Sequence, residues 1–271
     1  MYNNIVFSVI IPHKNCPDLL CKCINSIPNR DDIEIIVVDD NSSQEIVDFK
    51  NFPGIDRKNL KIIFDKSNKG AGRARNIGIG EAQGHWLLFA DADDYFIKDE
   101  LNLMLNKFID ITDVDVVYLN AQSYIGESSR LSANQPRINR IISNKDKLGK
   151  EFESQLRFET WEPWTRMCNR SFITKNCILF DEVPRMNDMS FGKKVSLFAQ
   201  KWKIEENAIY CWIEWPKTLS RQKMSDSAFR LLLRIQLELD ILSRSLFPEK
   251  KVFFLYYIYR NPPLERKAMQ G

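Results

Sequence analysis

No stretch of this chain approaches the roughly 18 consecutive apolar residues that a membrane-spanning helix needs. The longest aromatic run, Val252 to Tyr259, is far shorter. An excess of charge is also missing: Lys+Arg 39 against Asp+Glu 36 leaves a formal +3, which is too balanced to point to nucleic acid as a partner. The cysteines Cys16, Cys21, Cys23, Cys168, Cys177 and Cys211 contain no CxxC pair. That argues against a zinc ribbon or a disulfide framework and favours reduced thiols in the cytosol. The start, Met1-Tyr2-Asn3-Asn4, has no basic segment or small-residue cleavage site, so it does not read as a signal peptide. Glycine is absent from Pro12–Pro17, where a sugar-phosphate nucleotidyltransferase would carry its phosphate loop.

What is present is a regular alternation over the first 120 residues. Ile5–Pro12, Ile33–Val38, Leu60–Phe64, His85–Ala90 and Val114–Leu119 are short apolar, β-branched runs. Their near-continuous hydrophobicity suits strands buried on both faces. Between them Leu19, Leu20, Cys23, Ile24 and Ile27 fall at helical spacing, Gly70–Gln83 reads as a glycine-containing helix, and Leu101–Ile109 follows Asp99 and Glu100 as a third. This βαβα order predicts an α/β fold with a mostly parallel central sheet flanked by helices. From Gln122 the alternation gives way to a polar stretch up to Lys150 and then to a Trp-rich segment around Trp161 and Trp164. Residues 226–247 carry a leucine-rich stripe on one face, a C-terminal helical extension. The expected organisation is a regular half at 1–121, an irregular half of the same domain at 122–222, and the extension at 223–271.

Sheets of this kind bind ligands at the carboxyl ends of their strands, and there the polar clusters lie. Asp91, Asp93 and Asp94 crowd the end of the fourth strand. Three such carboxylates repel one another unless a cation sits among them. Oxygen ligands without histidine or thiolate select Mg2+ or Mn2+; a helix cap would explain one of the three acids. Asp39 and Asp40 follow the second strand, where an acid can accept from a ribose hydroxyl or a base N–H, or where Ser42 or Ser43 can cap a helix. Lys69, Gly70 and Arg73 combine close backbone approach with cations suited to phosphate. With Gly78 and Gly80 they also resemble a loose dinucleotide fingerprint, in the wrong place and without its strict spacing.

Together these residues resemble family 2 glycosyltransferases of the GT-A (Rossmann-like) fold, the kind that build bacterial surface polysaccharides. The similarity runs in order over roughly residues 5–222. Ser8–Asn15 looks like the first nucleotide-contacting strand, with Pro12, His13 and Asn15 as contacts. The resemblance places Asp39 and Asp40 at uracil and ribose, Lys69, Gly70 and Arg73 beside the nucleotide, and Asp91-Ala92-Asp93 at the DxD motif, with Asp93 ligating the metal. Pro163–Met167 is similar to the acceptor-side segment, and Trp164 is the aromatic expected at the sugar. Asn187-Asp188 stands at the Glu-Asp motif, which makes Asp188 the catalytic base and puts Asn187 where the family has Glu. Thr218 and Ser220 fall near a donor loop, and the resemblance makes residues 1–121 the nucleotide-sugar (donor) binding half and 122–222 the acceptor-binding half.

The resemblance implies an inverting transfer of a hexose or N-acetylhexosamine from a UDP-sugar to a glycan or lipid-linked hydroxyl, with Mn2+ or Mg2+ as cofactor. A helix N-cap is the competing role for Asp188. Two other functions fit parts of the sequence: a non-catalytic nucleotide-sugar-binding protein, hinted at by Asn187, and a nicotinamide-dependent oxidoreductase, hinted at by the glycines. The C-terminal mixture of Lys250, Lys251 and Arg260 with Phe253, Phe254, Tyr256, Tyr257 and Tyr259 suits either a helix docked on the domain or a second subunit, or peripheral contact with an anionic membrane. A cytoplasmic location, with that contact at the inner face of the plasma membrane, is the matching expectation.

Overall fold

A computed structural model describes residues 5–126, 128, 130–183, 186–215 and 226–246. Thr218, Ser220 and the aromatic segment from Lys250 lie outside the described residues. The chain divides into a unit at Met1–Gln222 and a second at Lys223–Gly271.

The first unit is built on an eight-stranded sheet: β1 (Phe7–His13), β2 (Ile33–Asp40), β3 (Leu60–Asp65), β4 (Trp86–Phe89), β5 (Tyr95–Phe96), β6 (Val116–Ile125), β7 (Arg166–Asn169) and β8 (Trp202–Glu214). Their spatial order is β3-β2-β1-β4-β7-β6-β8-β5. The pairings β1–β2, β1–β4, β2–β3 and β6–β8 are parallel. Because β7 is antiparallel to both β4 and β6, those two run the same way. Six strands therefore share one direction, and β5 and β7 oppose it. This is the mostly parallel α/β sheet expected from the alternation.

Helices α1 (Pro17–Ser26), α2 (Ala71–Glu81) and α3 (Lys98–Phe108) follow β1, β3 and β5, and each starts close to its predicted position. The polar and Trp-rich stretch forms α4 (Arg137–Ser143), α5 (Lys145–Leu148) and α6 (Phe152–Glu159); α7 (Arg170–Lys175) and α8 (Asn187–Phe198) come next. The five predicted strands are present, and every residue of β1 and β4 is buried. Three strands escaped the sequence pattern, among them β5, only two residues long. β7 is four residues long and wedges between β4 and β6, too short for any periodicity to register. β8 pairs with β6 through register shifts near Asn120, which break the strict alternation a strand would otherwise display.

Two glycines explain the spacing that hinted at a dinucleotide loop. A Cβ on Gly78 would lie 2.4 Å from the Ile10 side chain of β1, and one on Gly72 would lie 2.2 Å from the Asp181 carbonyl oxygen. Both contacts are below van der Waals separation, so these glycines let α2 press onto the sheet and onto the segment before α8. Both serve packing.

The second unit contains α9 (Asp226–Leu246), which carries the i,i+4 pairs Arg234–Glu238 at 2.9 Å and Asp240–Arg244 at 2.8 Å. Among the described residues no helix is long and apolar enough to cross a membrane.

Candidate functional site

The carboxyl ends of β1, β2 and β3 turn on three asparagines with left-handed backbone, Asn15 (φ 54°), Asn41 (φ 58°) and Asn68 (φ 54°). Asparagine visits this region more readily than most residues because its short amide can bond locally. The turns are then stitched together. Asn15 N–H donates to Ser42 Oγ at 2.9 Å, and Ser43 N–H donates to Asn15 Oδ1 at 2.8 Å.

The β1–β2 register sets His13 opposite Asp39, and their side chains meet at 2.8 Å. Cys16 N–H donates to His13 Nε2 at 3.3 Å. A nitrogen that accepts cannot carry the proton, so the proton sits on Nδ1 and is given to Asp39. Asp39 also accepts from Ser42 Oγ and Ser42 N–H. Burial would raise its pKa, yet these bonds outweigh burial and hold it below the usual carboxylate range. Asp39 is 1% and His13 2% exposed, so the pair stiffens the floor of the crevice.

Asp40 performs the same service for the next loop. It accepts from Gly70 N–H at 3.1 and 3.2 Å and from Lys14 Nζ at 3.4 Å; Lys14 reaches on to Asn68. Gly70, at φ 88°, is the N-cap of α2, a backbone shape that a side chain would strain. Lys69 and Arg73 share Glu182 at 3.8 and 3.5 Å, and Arg73 also donates to Asp65 at 2.9 Å.

The second half of the crevice forms after β4. Asp91 is partly exposed and Ala92 is buried beneath it. Burial pushes the Asp93 carboxyl up to about 6, with the charge of Asp91 adding to the shift. Asp94 is 3% exposed and points away from the crevice: Tyr210 Oη donates to it at 2.8 Å and Ile213 N–H at 2.7 Å. Tyr210 Oη in turn accepts from Asp91 N–H at 2.9 Å. The acidic turn is thereby clamped to β8. Tyr210→Phe strands both the Asp91 N–H and one Asp94 oxygen in the interior, and should cost about 1–3 kcal/mol of stability; urea unfolding measures it.

Arg75, on α2, crosses the crevice. It donates to Asp91 at 2.5 Å and to Asn187 Oδ1 at 2.8 Å, over the ring of Phe180 at 5.2 Å. Asn187 begins α8, and Met186, at φ 58°, is its N-cap without a side-chain bond. Asp188 is therefore the second residue of the helix. It is not the N-cap. Burial raises its carboxyl to about 6; Arg75 opposes the shift, while Glu162 and Asp91 reinforce it.

A family model described as Glycosyl transferase family 2 matches residues 8–167. The chain belongs to glycosyltransferase family 2. It is 26% identical over 219 residues to an uncharacterized glycosyltransferase, EpsJ, of Bacillus subtilis, covering 79% of this chain and 62% of that protein. It is 31% identical over 217 residues to the poly(ribitol-phosphate) beta-N-acetylglucosaminyltransferase TarS of Staphylococcus aureus, covering 75% of this chain and 35% of TarS. The chain thus spans less than two thirds of the length of these curated relatives. Among solved structures, TarS 1–349 has a TM-score of 0.68 at 22% identity, covering 98% of this chain and 75% of that one. TarS 1–349 in complex with UDP-GlcNAc gives 0.65 at 25%, covering 86% and 66%. The fold is the GT-A type.

In this family 2 chain the structure gathers Pro12, His13, Asn15, Asp39, Asp40, Lys69, Gly70 and Arg73 along three neighbouring strand ends, with Asp91, Ala92 and Asp93 on the adjacent β4 turn. Trp164 is 7% exposed and stacks on Tyr210 at 5.1 Å and 9°, so one of its faces is committed to the protein. Arg75, Glu162 and Tyr210 were not among the expected site residues. Arg75 stands two residues beyond Arg73 on the same helix, whereas Tyr210 lies 119 residues from the Asp91 it holds, a link no local pattern carries.

A cation at Asp93 is testable against the donor set. Among the described residues no three His, Cys, Asp or Glu side chains converge tightly enough to enclose an ion. Mg2+-type sites beside phosphates, however, use one or two carboxylates and take the remaining oxygens from substrate and water. Asp93, with Asp91 two residues away, fits that pattern, and their mutual repulsion is what a cation would relieve.

Proposed function

We propose that this family 2 glycosyltransferase moves a hexose or N-acetylhexosamine from a UDP-sugar to a hydroxyl of a glycan or lipid-linked acceptor, with inversion, in bacterial surface polysaccharide synthesis. The supporting observation is that Arg75 bridges Asp91, on the acidic turn after β4, to Asn187, the residue before Asp188, and that its charge acts on the Asp188 carboxyl. The complexes of TarS with UDP-GlcNAc and with UDP favour uridine as the base and an N-acetylhexosamine as the sugar.

Asp188 is the general base in this reading. The acceptor oxygen attacks the anomeric carbon, its proton passes to the Asp188 carboxylate, and the bond from that carbon to the diphosphate oxygen breaks with its electrons leaving on UDP. One displacement with one base inverts the centre, whereas a glycosidase would flank the bond with two carboxylates. A divalent cation held by Asp93 would supply stabilisation of the departing charge. Arg75, already on Asp91, keeps that turn in place, and the His13–Asp39–Ser42 floor holds the strand ends where the nucleoside would lie.

The test is a panel of nucleotide sugars with Mn2+. UDP-GlcNAc or another UDP-sugar should raise the melting temperature, since a ligand of the native state alone stabilises it, and free UDP should accumulate slowly by donor hydrolysis. Stabilisation without UDP release, even with added acceptor glycans, would favour the non-catalytic binder; no shift with any UDP-sugar would sink the proposal. Peripheral contact with a membrane and pairing of two subunits remain proposals for the C-terminal segment.

A further inference from the structure

Arg75 is a charge with an unusual set of neighbours. It is 5% exposed, and its Nε is buried without a hydrogen-bond partner among the described residues. Its two terminal nitrogens are divided between a carboxylate, Asp91, and an uncharged amide, Asn187. A buried cation normally draws as much compensation as its surroundings offer; here one of its two side-chain bonds returns no charge. The residue after that amide is Asp188, in the first turn of α8.

Among the described residues, the principal charges acting on Asp188 are Arg75 from α2, Glu162 from the turn before β7, and Asp91 from the end of β4. Two are anions that favour the protonated acid. Burial works in the same direction and is the largest influence, and together they bring the carboxyl up to about 6. Arg75 pulls the other way. An acid at position 187 would spend the guanidinium charge on itself and add repulsion toward Asp188.

We propose that Arg75 is a positioning residue for Asp188: through Asn187 it ties the start of α8 to the Asp91 turn, and its partly uncompensated charge keeps the Asp188 carboxyl in its proton-accepting form. The uncharged amide at 187 is part of the device. This rests on the reading of Asp188 as the base, but it makes a separate prediction.

The experiment follows the carboxyl carbons of metal-free protein by 13C NMR against pH, with Asp188 assigned from the signal lost in Asp188→Asn. A pH–rate profile at saturating Mn2+ and UDP-sugar runs in parallel. Arg75→Gln should move the Asp188 midpoint, and the acid limb with it, up by about one pH unit, the low end of what a neighbouring charge does. Arg75→Lys, which keeps the charge, should move it less. Asn187→Asp is nearly isosteric at a partly exposed residue and keeps an acceptor for Arg75, so it carries the test if the buried arginine variants fail to fold; it too should shift the midpoint upward. An unmoved midpoint in whichever of Arg75→Gln and Asn187→Asp folds, with rates lowered equally at every pH, would make Arg75 purely structural and overturn the inference while Asp188 stayed the base. Wild-type turnover by Asp188→Asn would instead remove the base reading, and the inference with it.

Discussion

Asp188→Asn should abolish transfer, lowering turnover by about 10²–10⁴-fold, the contribution typical of a positioned base, while UDP-sugar and Mn2+ still bind. The substitution keeps shape and removes only the capacity to take a proton. In the wild type the carboxyl is pushed up to about 6, so it works as a base only when ionised. Transfer is therefore expected in full above that pH and should fall tenfold per unit below it; the variant's residual rate should lose this limb. Stability moves in the opposite sense. A carboxyl raised in the folded state binds protons more tightly there than in the unfolded chain, so its contribution to stability weakens as pH rises from about 4 through 6. Above that window Asp188→Asn should be no less stable than the wild type, so a loss of activity there cannot be ascribed to unfolding. Steady-state rates across pH 5–8 with a urea melt of each protein test both halves.

Asp93→Asn should suppress turnover by about 10²–10³-fold, the scale on which single electrostatic stabilisers of a developing charge act, and it should remove the Mn2+ dependence of UDP binding. The geometry behind this is the crowding of Asp91 and Asp93 on one turn. Asp93 is raised to about 6 by burial and by its neighbour's charge, so a cation should bind more weakly as pH falls and protons compete. Titration calorimetry of UDP with and without Mn2+, in both proteins, gives the answer. Equal UDP affinity with and without metal in the wild type would end the case for a cation at this residue. Asp94 offers a control: its oxygens are taken by Tyr210 and Ile213 N–H, so Asp94→Asn should disturb stability before it disturbs metal binding.

Much of the donor side was legible because its signals are local. The runs Val9–Ile11, Ile35–Val38 and Trp86–Phe89 are apolar at every position, as strands covered on both faces must be, and the polar residues that follow each run mark the carboxyl edge of the sheet. Asp39 and Asp40, expected at the nucleotide, stand at that edge. Their carboxylates, however, are occupied by His13, Ser42 and Gly70; satisfying a buried acid through backbone and side-chain donors depends on loop conformations that residue types do not specify. Lys69 and Arg73 have the chemistry of phosphate cations, and in the folded chain they are paired with Glu182 and Asp65, acids far apart in the chain.

The order of residues in the chain was enough for the α/β alternation, the edge of the sheet where chemistry belongs, and the acids at that edge, since each depends on periodicity or on neighbours a few positions apart. Packing in three dimensions supplied the rest. It wedged β7 between β4 and β6, set Arg75 between Asp91 and Asn187, and hung the acidic turn on Tyr210 of a distant strand. It also set Asp188 one residue inside α8, where burial raises its carboxyl, instead of at the helix cap, because burial and the charges of facing segments are properties of which segments meet.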